Sequence, residues 1–294
     1  MLSARGSNSY AAKKGQDAIS GRYPYMVKLL KESSREHFCS GALIDKDTVV
    51  TAAHCVDPNM SGTHPHPTLE IGSTRTKDDR DSEFRRSCAT IIHKRFNPVR
   101  FQGGYDLALI KLEGSSTKTP VQLGEAPLDF DLTYRALGFR LTETGETSDT
   151  LQEVDVYTED LEFCEEDLKD QCGRPADQEN CKFLDSVLCM EIDVADACGG
   201  DSGGPLIYVK DDIETGCGKD DELFGLFSFG LGCGSEDAFT DPGVFTSVRD
   251  FADWIKSGGE DGPDEVNSIT FINPDGNEDL CSYVVDPPEP IPGS

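Results

Sequence analysis

An all-β domain is predicted, either a barrel or a sandwich, and three observations predict it. The 294-residue chain breaks into a dozen apolar segments of three to seven residues, separated by turn-forming Gly, Pro, Asp and Asn. Helical periodicity is confined to one stretch near the end, so there is no strand–helix alternation of the kind that builds a parallel sheet. The length suits one β domain of about 250 residues with short extensions. No internal repeat is visible.

In chain order, residues 1–20 are polar and turn-rich, and 25–30 is the first apolar segment. Segments 42–44 and 49–53 follow closely and suit buried strands. Further segments are 69–71, 89–92 and 107–112, the last with alternating apolar residues. Then come 137–141, 151–157, 187–190, 205–209, 223–229 and 244–248. Residues 247–256 form the best helix, because Val248, Phe251, Ala252 and Ile255 recur at helical spacing on one face. From 257 to 294 the composition shifts to Gly, Pro, Asp and Glu, ending Asp286-Pro-Pro-Glu-Pro-Ile-Pro-Gly-Ser294. Such a stretch favours an extended, semi-rigid chain, a linker or extension, with a proline-recognition ligand as the functional alternative.

Hydrophobic residues make up 36% of the chain, and 55 acids against 27 Lys and Arg leave a net charge of -28. That balance repels nucleic acid and anionic membrane, neither of which is expected as a partner, and attracts basic ones. It equally serves solubility. No apolar run reaches the length of a membrane-spanning helix, and the first residues lack the apolar core of a secretory signal. Eleven cysteines point to a disulfide framework and an oxidising compartment, extracellular or in the secretory pathway.

Three stretches carry chemistry. Asp196-Ala-Cys-Gly-Gly-Asp-Ser-Gly-Gly-Pro205 sets Ser202 among glycines, which permit close backbone approach and can aim main-chain N–H groups at a ligand atom. A serine hydroxyl is a poor nucleophile alone and needs a general base. Thr51-Ala-Ala-His-Cys55 ends an apolar run and offers His54, whose imidazole titrates near neutrality. Tyr105-Asp-Leu-Ala-Leu-Ile-Lys-Leu112 opens a strand on Asp106, a carboxylate that needs a hydrogen-bonding partner if buried. Singly, each has an ordinary structural explanation: a Gly-rich turn, a satisfied core histidine, a solvated turn acid. Their joint occurrence favours a catalytic set.

With Gly21-Arg-Tyr-Pro-Tyr25, Cys39-Ser-Gly-Ala-Leu-Ile44 and Pro242-Gly-Val-Phe-Thr246, these motifs make the chain resemble a trypsin-like serine endopeptidase from about residue 21 to 256. The resemblance implies two six-stranded antiparallel Greek-key barrels with a C-terminal helix, and the triad in the cleft. It implies that Ser202 attacks the scissile carbonyl, His54 relays the proton and Asp106 orients His54. The N–H groups of Gly200 and Ser202 would form the oxyanion hole. Ser228 would sit beside the buried aspartate. Implied disulfides are Cys39–Cys55, Cys164–Cys189 and Cys198–Cys233. Cys88, Cys172, Cys181, Cys217 and Cys281 are left over, with Cys172–Cys181 one option and Cys281 a candidate anchor for the tail. Domain limits follow as 1–11 for a polar segment, 12–257 for the peptidase domain and 258–294 for an acidic, Pro-rich tail.

Asp196 would floor the primary specificity pocket, and a carboxylate there prefers Arg or Lys. Gly230 and Gly243 would keep that pocket open, and Ser228-Phe229-Gly230 would pair with substrate backbone as an added strand. Phe229 replaces the tryptophan often found there. Expected partners are protein or peptide substrates with basic residues, and protein inhibitors. One departure stands out. Asp201 usually pairs with a freed apolar N-terminus of the Ile-Val-Gly-Gly type, but Ala12-Lys-Lys-Gly15 aligns there. The expectation is that the ammonium of Lys13 or Lys14 substitutes. The contrasting expectation is a zymogen-like or silent homologue that binds peptides without cutting them. No cofactor or metal is expected. His64-Pro-His66 lacks helix-spaced ligands, and the acids of 78–83 lack a calcium pattern.

Overall fold

The computed structural model describes residues 15–75, 79, 81–99, 104–139, 148–168, 186–192, 201–210, 218–230 and 241–259. The first barrel contains β2 (Met26–Leu30), β3 (His37–Asp45), β4 (Thr48–Thr51), β5 (Thr68–Ile71), β6 (Glu83–Ile92) and β7 (Ala108–Leu112) after a short β1 (Gln16–Asp17). It closes in the order β2-β3-β4-β7-β6-β5, every pair antiparallel. Strand β4 pairs with β7 and not with β5, the excursion that makes a Greek key.

The second barrel follows β8 (Gln122–Leu123) and contains β9 (Tyr134–Gly138), β10 (Gln152–Glu159), β11 (Val187–Ile192), β12 (Pro205–Tyr208), β13 (Glu222–Gly230) and β14 (Asp241–Ser247). Its ring runs β9-β10-β11-β14-β13-β12 and closes through antiparallel pairing of β12 with β9. Strand β1 adds to β10, and β8 lies parallel to β13. Among the described residues the α-helices are α1 (Ala53–Val56), α2 (Leu161–Leu168) and α3 (Ala252–Lys256). The two antiparallel barrels and the C-terminal helix match the fold expected from the sequence. No helix among the described residues is long and apolar enough to cross a membrane.

Short apolar runs between turn residues account for most strands, and β2, β4 and β5 are buried along their whole length. The exceptions are informative. The segment read as 137–141 is a strand that starts earlier, at Tyr134, and ends at Gly138. Arg135 interrupts the apolar pattern in the sequence. Its guanidinium is held by Asp155 (2.7 Å) and Glu153 (3.3 Å), so a charged residue is tolerated inside the strand. The helix read over 247–256 begins later. Ser247 and Val248 donate their N–H groups to Ser186 O and Phe224 O, which commits them to the barrel. A 3-10 turn (Arg249–Phe251) then leads into α3. Gly258 and Gly259, at φ +74° and +91°, wrap the helix end and return N–H groups to Ile255 O and Trp254 O. Helix α2 had no sequence signal. Its Leu161 and Cys164 pack with Val187, Cys189 and Val244 of the second barrel, and Cys164–Cys189 ties it down.

The first barrel's core is continuous with the seam. Residues of β2, β4 and β7 share one apolar cluster with Leu137, Phe139, Ile207, Leu226, Phe251 and Trp254. A second cluster around Tyr134, Met190, Phe224, Phe227 and Phe245 fills the second barrel. The segment leading into β2 crosses the seam with polar side chains. Tyr23 OH donates to Glu153 at 2.5 Å, and Tyr25 OH donates to Asp221 at the same distance.

His37, at the start of β3, sets an acid limit on stability. Its Nε2 lies 3.3 Å from Ser40 Oγ, and among the described residues its buried Nδ1 has no partner within hydrogen-bond distance. Burial first, and then the charge of Lys28, push its pKa from 6.5 down to about 4. Below pH 6.5 the unfolded chain takes up a proton that the folded chain refuses until about pH 4. This contribution is therefore complete above 6.5 and lost as pH falls from 6.5 to 4. The loss is about 2 kcal/mol between pH 7 and pH 5. Urea unfolding at the two pH values should show it, and His37→Gln should remove that part of the difference.

Candidate active site

Strand β4 ends at Thr51, and the chain turns at once into α1, which carries His54. The small residues Ala52 and Ala53 are fully buried at this bend. Cys55, next to His54, is bonded to Cys39 on β3, with Cα atoms 6.2 Å apart. The histidine therefore sits on a short helix cross-linked to the barrel wall.

Asp106 immediately precedes Leu107 and β7 and is fully buried. Four groups meet its atoms. The His54 backbone N–H donates to Oδ1 at 2.9 Å, and His54 Nδ1 lies 2.7 Å from Oδ2. Ser228 Oγ donates to Oδ2 at 2.5 Å, and Thr246 Oγ1 donates to the Asp106 carbonyl at 3.1 Å. A carboxylate can only accept, so Nδ1 carries the proton, and the lone pair of the imidazole is on Nε2. Burial lowers the His54 pKa, but the charge and hydrogen bond of Asp106 outweigh it, and the net shift is upward from 6.5. The result is an oriented base, made more basic by a buried anion.

Ser202 lies in the turn before β12, and its main chain is fixed against the His54 side. Ser40 N–H donates to Ser202 O at 2.8 Å, and Cys55 Sγ lies 3.7 Å from the same oxygen. Gly203 has φ +78°, and a Cβ there would run into Ser40 O, Thr51 Oγ1 and Ala52 N. Only glycine lets this turn lie directly on the lead-in to α1. The Gly203 N–H donates to Phe227 O at 2.7 Å, and Phe227 N–H returns to Gly204 O at 2.9 Å. The serine turn is thus laced to β3 and to β13, the strand that carries Ser228. Asp201 is buried beside Gly138, where a side chain would collide with its carboxylate.

Of the remaining sequence-predicted residues, Ser228 falls in a bulge of β13, since the pairing with β14 shifts register between Phe227 and Phe229. The bulge releases Ser228 from the ladder and re-aims its side chain. Phe229 pairs with Val244, and Gly230 with Gly243, which pairs on its other side with Met190. Phe229 packs on the cluster of Cys164, Cys189 and Val244. Asp196, Gly200, Lys13 and Lys14 lie outside the described residues, so the pocket floor, half of the oxyanion hole and the ammonium partner expected for Asp201 do too. So do Cys198–Cys233, Cys172, Cys181, Cys217 and Cys281. Cys39–Cys55 and Cys164–Cys189 are formed as expected, and Cys88 is also disulfide-bonded. The sulfurs of Cys39 and Cys55 approach the His54 ring, but being bonded to each other they offer no thiolate to a metal.

Sequence reasoning overlooked Thr246, although it lies within the motif ending at that residue, and it gave Tyr105 no role beyond preceding Asp106. A threonine hydroxyl facing a backbone carbonyl leaves no pattern in the chain. Against known proteins, the family model described as Trypsin matches residues 12–255. Serine proteinase stubble of Drosophila melanogaster is 30% identical over 255 residues, covering 82% of this chain and 30% of that protein. Coagulation factor XII of Bos taurus is 30% identical over 267 residues, covering 82% of this chain and 39% of that protein. The chain thus spans well under half the length of these relatives.

Proposed function

We propose, because this chain belongs to the trypsin family of serine proteases, that it is an endopeptidase hydrolysing peptide bonds through an acyl-enzyme, after Arg or Lys. The observation that carries the reading is the four-fold hydrogen bonding of Asp106 with His54 at its centre. Three of these bonds reach the carboxylate, two from His54 and one from Ser228, and the fourth, from Thr246, holds the Asp106 main chain. An acid so fixed keeps the imidazole in one tautomer. Ser202 Oγ attacks the substrate carbonyl as His54 Nε2 takes its proton. Asp106 stabilises the imidazolium, which then protonates the leaving amine. The acyl-enzyme ester is cleared by water through the same base. The N–H groups of Gly200 and Ser202 stabilise the oxyanion. Asp196 receives the Arg or Lys side chain, Gly230 and Gly243 leave it room, and Ser228 to Gly230 pair with the substrate main chain. Asp201 belongs to the activation pocket that orders the oxyanion loop.

The peptidase domain covers 12–257, between the polar segment 1–11 and the Pro-rich tail 258–294. Its substrates are proteins with basic residues, its regulators protein inhibitors, and its setting an oxidising, extracellular or secretory one, which suits the formed disulfides.

Hydrolysis of matched peptide substrates ending in Arg, Lys, Phe or Ala, with and without a fluorophosphonate, tests this. Turnover of Arg and Lys substrates should exceed the others by about 100-fold or more, and the inhibitor should abolish it. Equal or greater turnover of Phe would remove Asp196 from the pocket floor. Silence of well-folded protein towards all four, together with no labelling, would leave a peptide-binding homologue instead.

A further inference from the structure

Two consecutive residues before Asp106 have positive φ, Gly104 at +96° and Tyr105 at +62°. Glycine takes such a conformation freely, whereas for an aromatic residue it is an outlier that the surroundings must impose. Arg35 is the other non-glycine case among the described residues, and it lies on an exposed turn. Tyr105 does not. Directly after it, Leu107 N–H donates to Tyr105 O at 2.9 Å, closing a three-residue turn centred on Asp106. The carboxylate leaves the backbone at the middle of this turn. Its direction depends on the turn being held.

The Tyr105 ring is gripped from several sides. The His93 ring stacks on it, with centroids 5.0 Å apart at 18°. The Arg95 guanidinium carbon lies 4.5 Å from its centroid. Phe251 meets it edge-on at 5.5 Å. His93 is itself fixed edge-on by Phe251 at 5.2 Å and by Trp254 at 5.0 Å. His93, Phe251 and Trp254 are all buried. The His93 N–H also donates to Leu107 O at 3.2 Å, on the far side of the turn. A contiguous path of packed rings therefore leads from the C-terminal helix to the residue before Asp106.

We propose that Tyr105 is a positioning residue for Asp106. Its ring, clamped by His93, Arg95 and Phe251, holds the turn so that both carboxylate oxygens meet His54 at once. This inference rests on the peptidase reading above. Without the clamp, the strained residue relaxes towards ordinary φ, the turn reorients, and the paired contacts to the His54 N–H and Nδ1–H loosen. The charged and titratable groups in contact at this turn include His93 and Arg95 on the ring side and His54 on the carboxylate side. The Tyr105 hydroxyl has no part in the mechanism. The helix contributes to catalysis through its docking.

The test is the rate of active-site labelling by a fluorophosphonate as a function of pH, in wild type, Tyr105→Phe, Tyr105→Ala and Tyr105→Gly. The probe reports the serine and its base whatever the substrate preference. Tyr105→Phe keeps the ring and should match wild type. Tyr105→Ala should label about 10- to 100-fold more slowly, with the midpoint of its pH profile moved down, because His54 loses part of its coupling to Asp106. Tyr105→Gly accepts positive φ freely yet lacks the ring, so it should behave as alanine does, and it supplies the same reading where alanine does not fold. A purely structural role would reduce the fraction of protein that labels without moving rate or midpoint in the remainder. Unchanged rate and midpoint in Tyr105→Ala or Tyr105→Gly would overturn the inference. Wild-type protein that folds but never labels would overturn the peptidase reading, and this inference with it.

Discussion

Replacing Asp106 by asparagine is expected to lower kcat by about 10,000-fold near neutral pH while the fold survives. Asparagine has nearly the same shape, so Ser228, Thr246 and the His54 main chain can all be accommodated. Its oxygen can still accept from the His54 N–H, which lies 2.9 Å from Oδ1. Its NH2 then replaces the oxygen that faced Nδ1 at 2.7 Å. Two donors cannot face each other, so Nδ1 gives up its proton and Nε2 takes it. A protonated Nε2 cannot accept the serine proton. The pH profile follows with a definite sign. In the proposed mechanism the base must be neutral, so wild-type activity should rise as pH climbs through the His54 pKa, held above 6.5 by Asp106. In the variant the downward push of burial is unopposed, so its much lower plateau is reached at lower pH. Steady-state kinetics from pH 5 to 9, with circular dichroism as a check on folding, decide the matter. An Asp106→Asn enzyme within 10-fold of wild type would remove Asp106 from the catalytic line.

How much of this was legible beforehand depends on the range of the physics involved. The serine turn was legible because its steric demands, although made largely by residues distant in the chain, can be met by glycine alone. Gly203 has no space for a Cβ, Gly204 would meet Leu137 O and Asp201 O, and such demands print glycines next to Ser202. The barrels were legible because a short apolar run bounded by turn residues is a property of neighbouring residues, and such runs are the buried strands β2, β4 and β7. The seam was not. Arg22 and Asp221 are 199 positions apart, and each reads as an ordinary polar residue until the fold brings them together. Likewise, nothing about Tyr105 in isolation signals a positive φ. In the reading proposed above that conformation is held by His93, Arg95 and Phe251, contributed by two other parts of the chain. Arg135 misplaced the edge of β9 for the same reason, since its partners lie on the adjacent strand.

The seam yields the largest expected effect on stability. Arg22 and Asp221 form a bidentate pair, NH1 to Oδ2 at 2.7 Å and NH2 to Oδ1 at 2.9 Å, with both side chains essentially inaccessible. Tyr25 OH donates to Oδ2 of the same carboxylate. Gly218 lies so close that a Cβ would come within 2.7 Å of Arg22 O and 2.9 Å of its NH1. Little water can enter to compensate a lost partner. Asp221→Ala therefore strands a buried guanidinium and a buried phenol, and should cost about 3–5 kcal/mol. That is a large share of the roughly 5–15 kcal/mol by which a domain is stable. The pair as a whole is worth far less than this number, because two charges had to be desolvated to make it. Arg22→Met combined with Asp221→Leu removes both charges and refills the volume. It should lie much closer to wild type than Asp221→Ala does. Urea unfolding with disulfides intact would order the three proteins. If the double variant were as unstable as the single one, the attraction between the charges, and not the penalty of an orphaned charge, would be what holds residue 22 against the approach to β13.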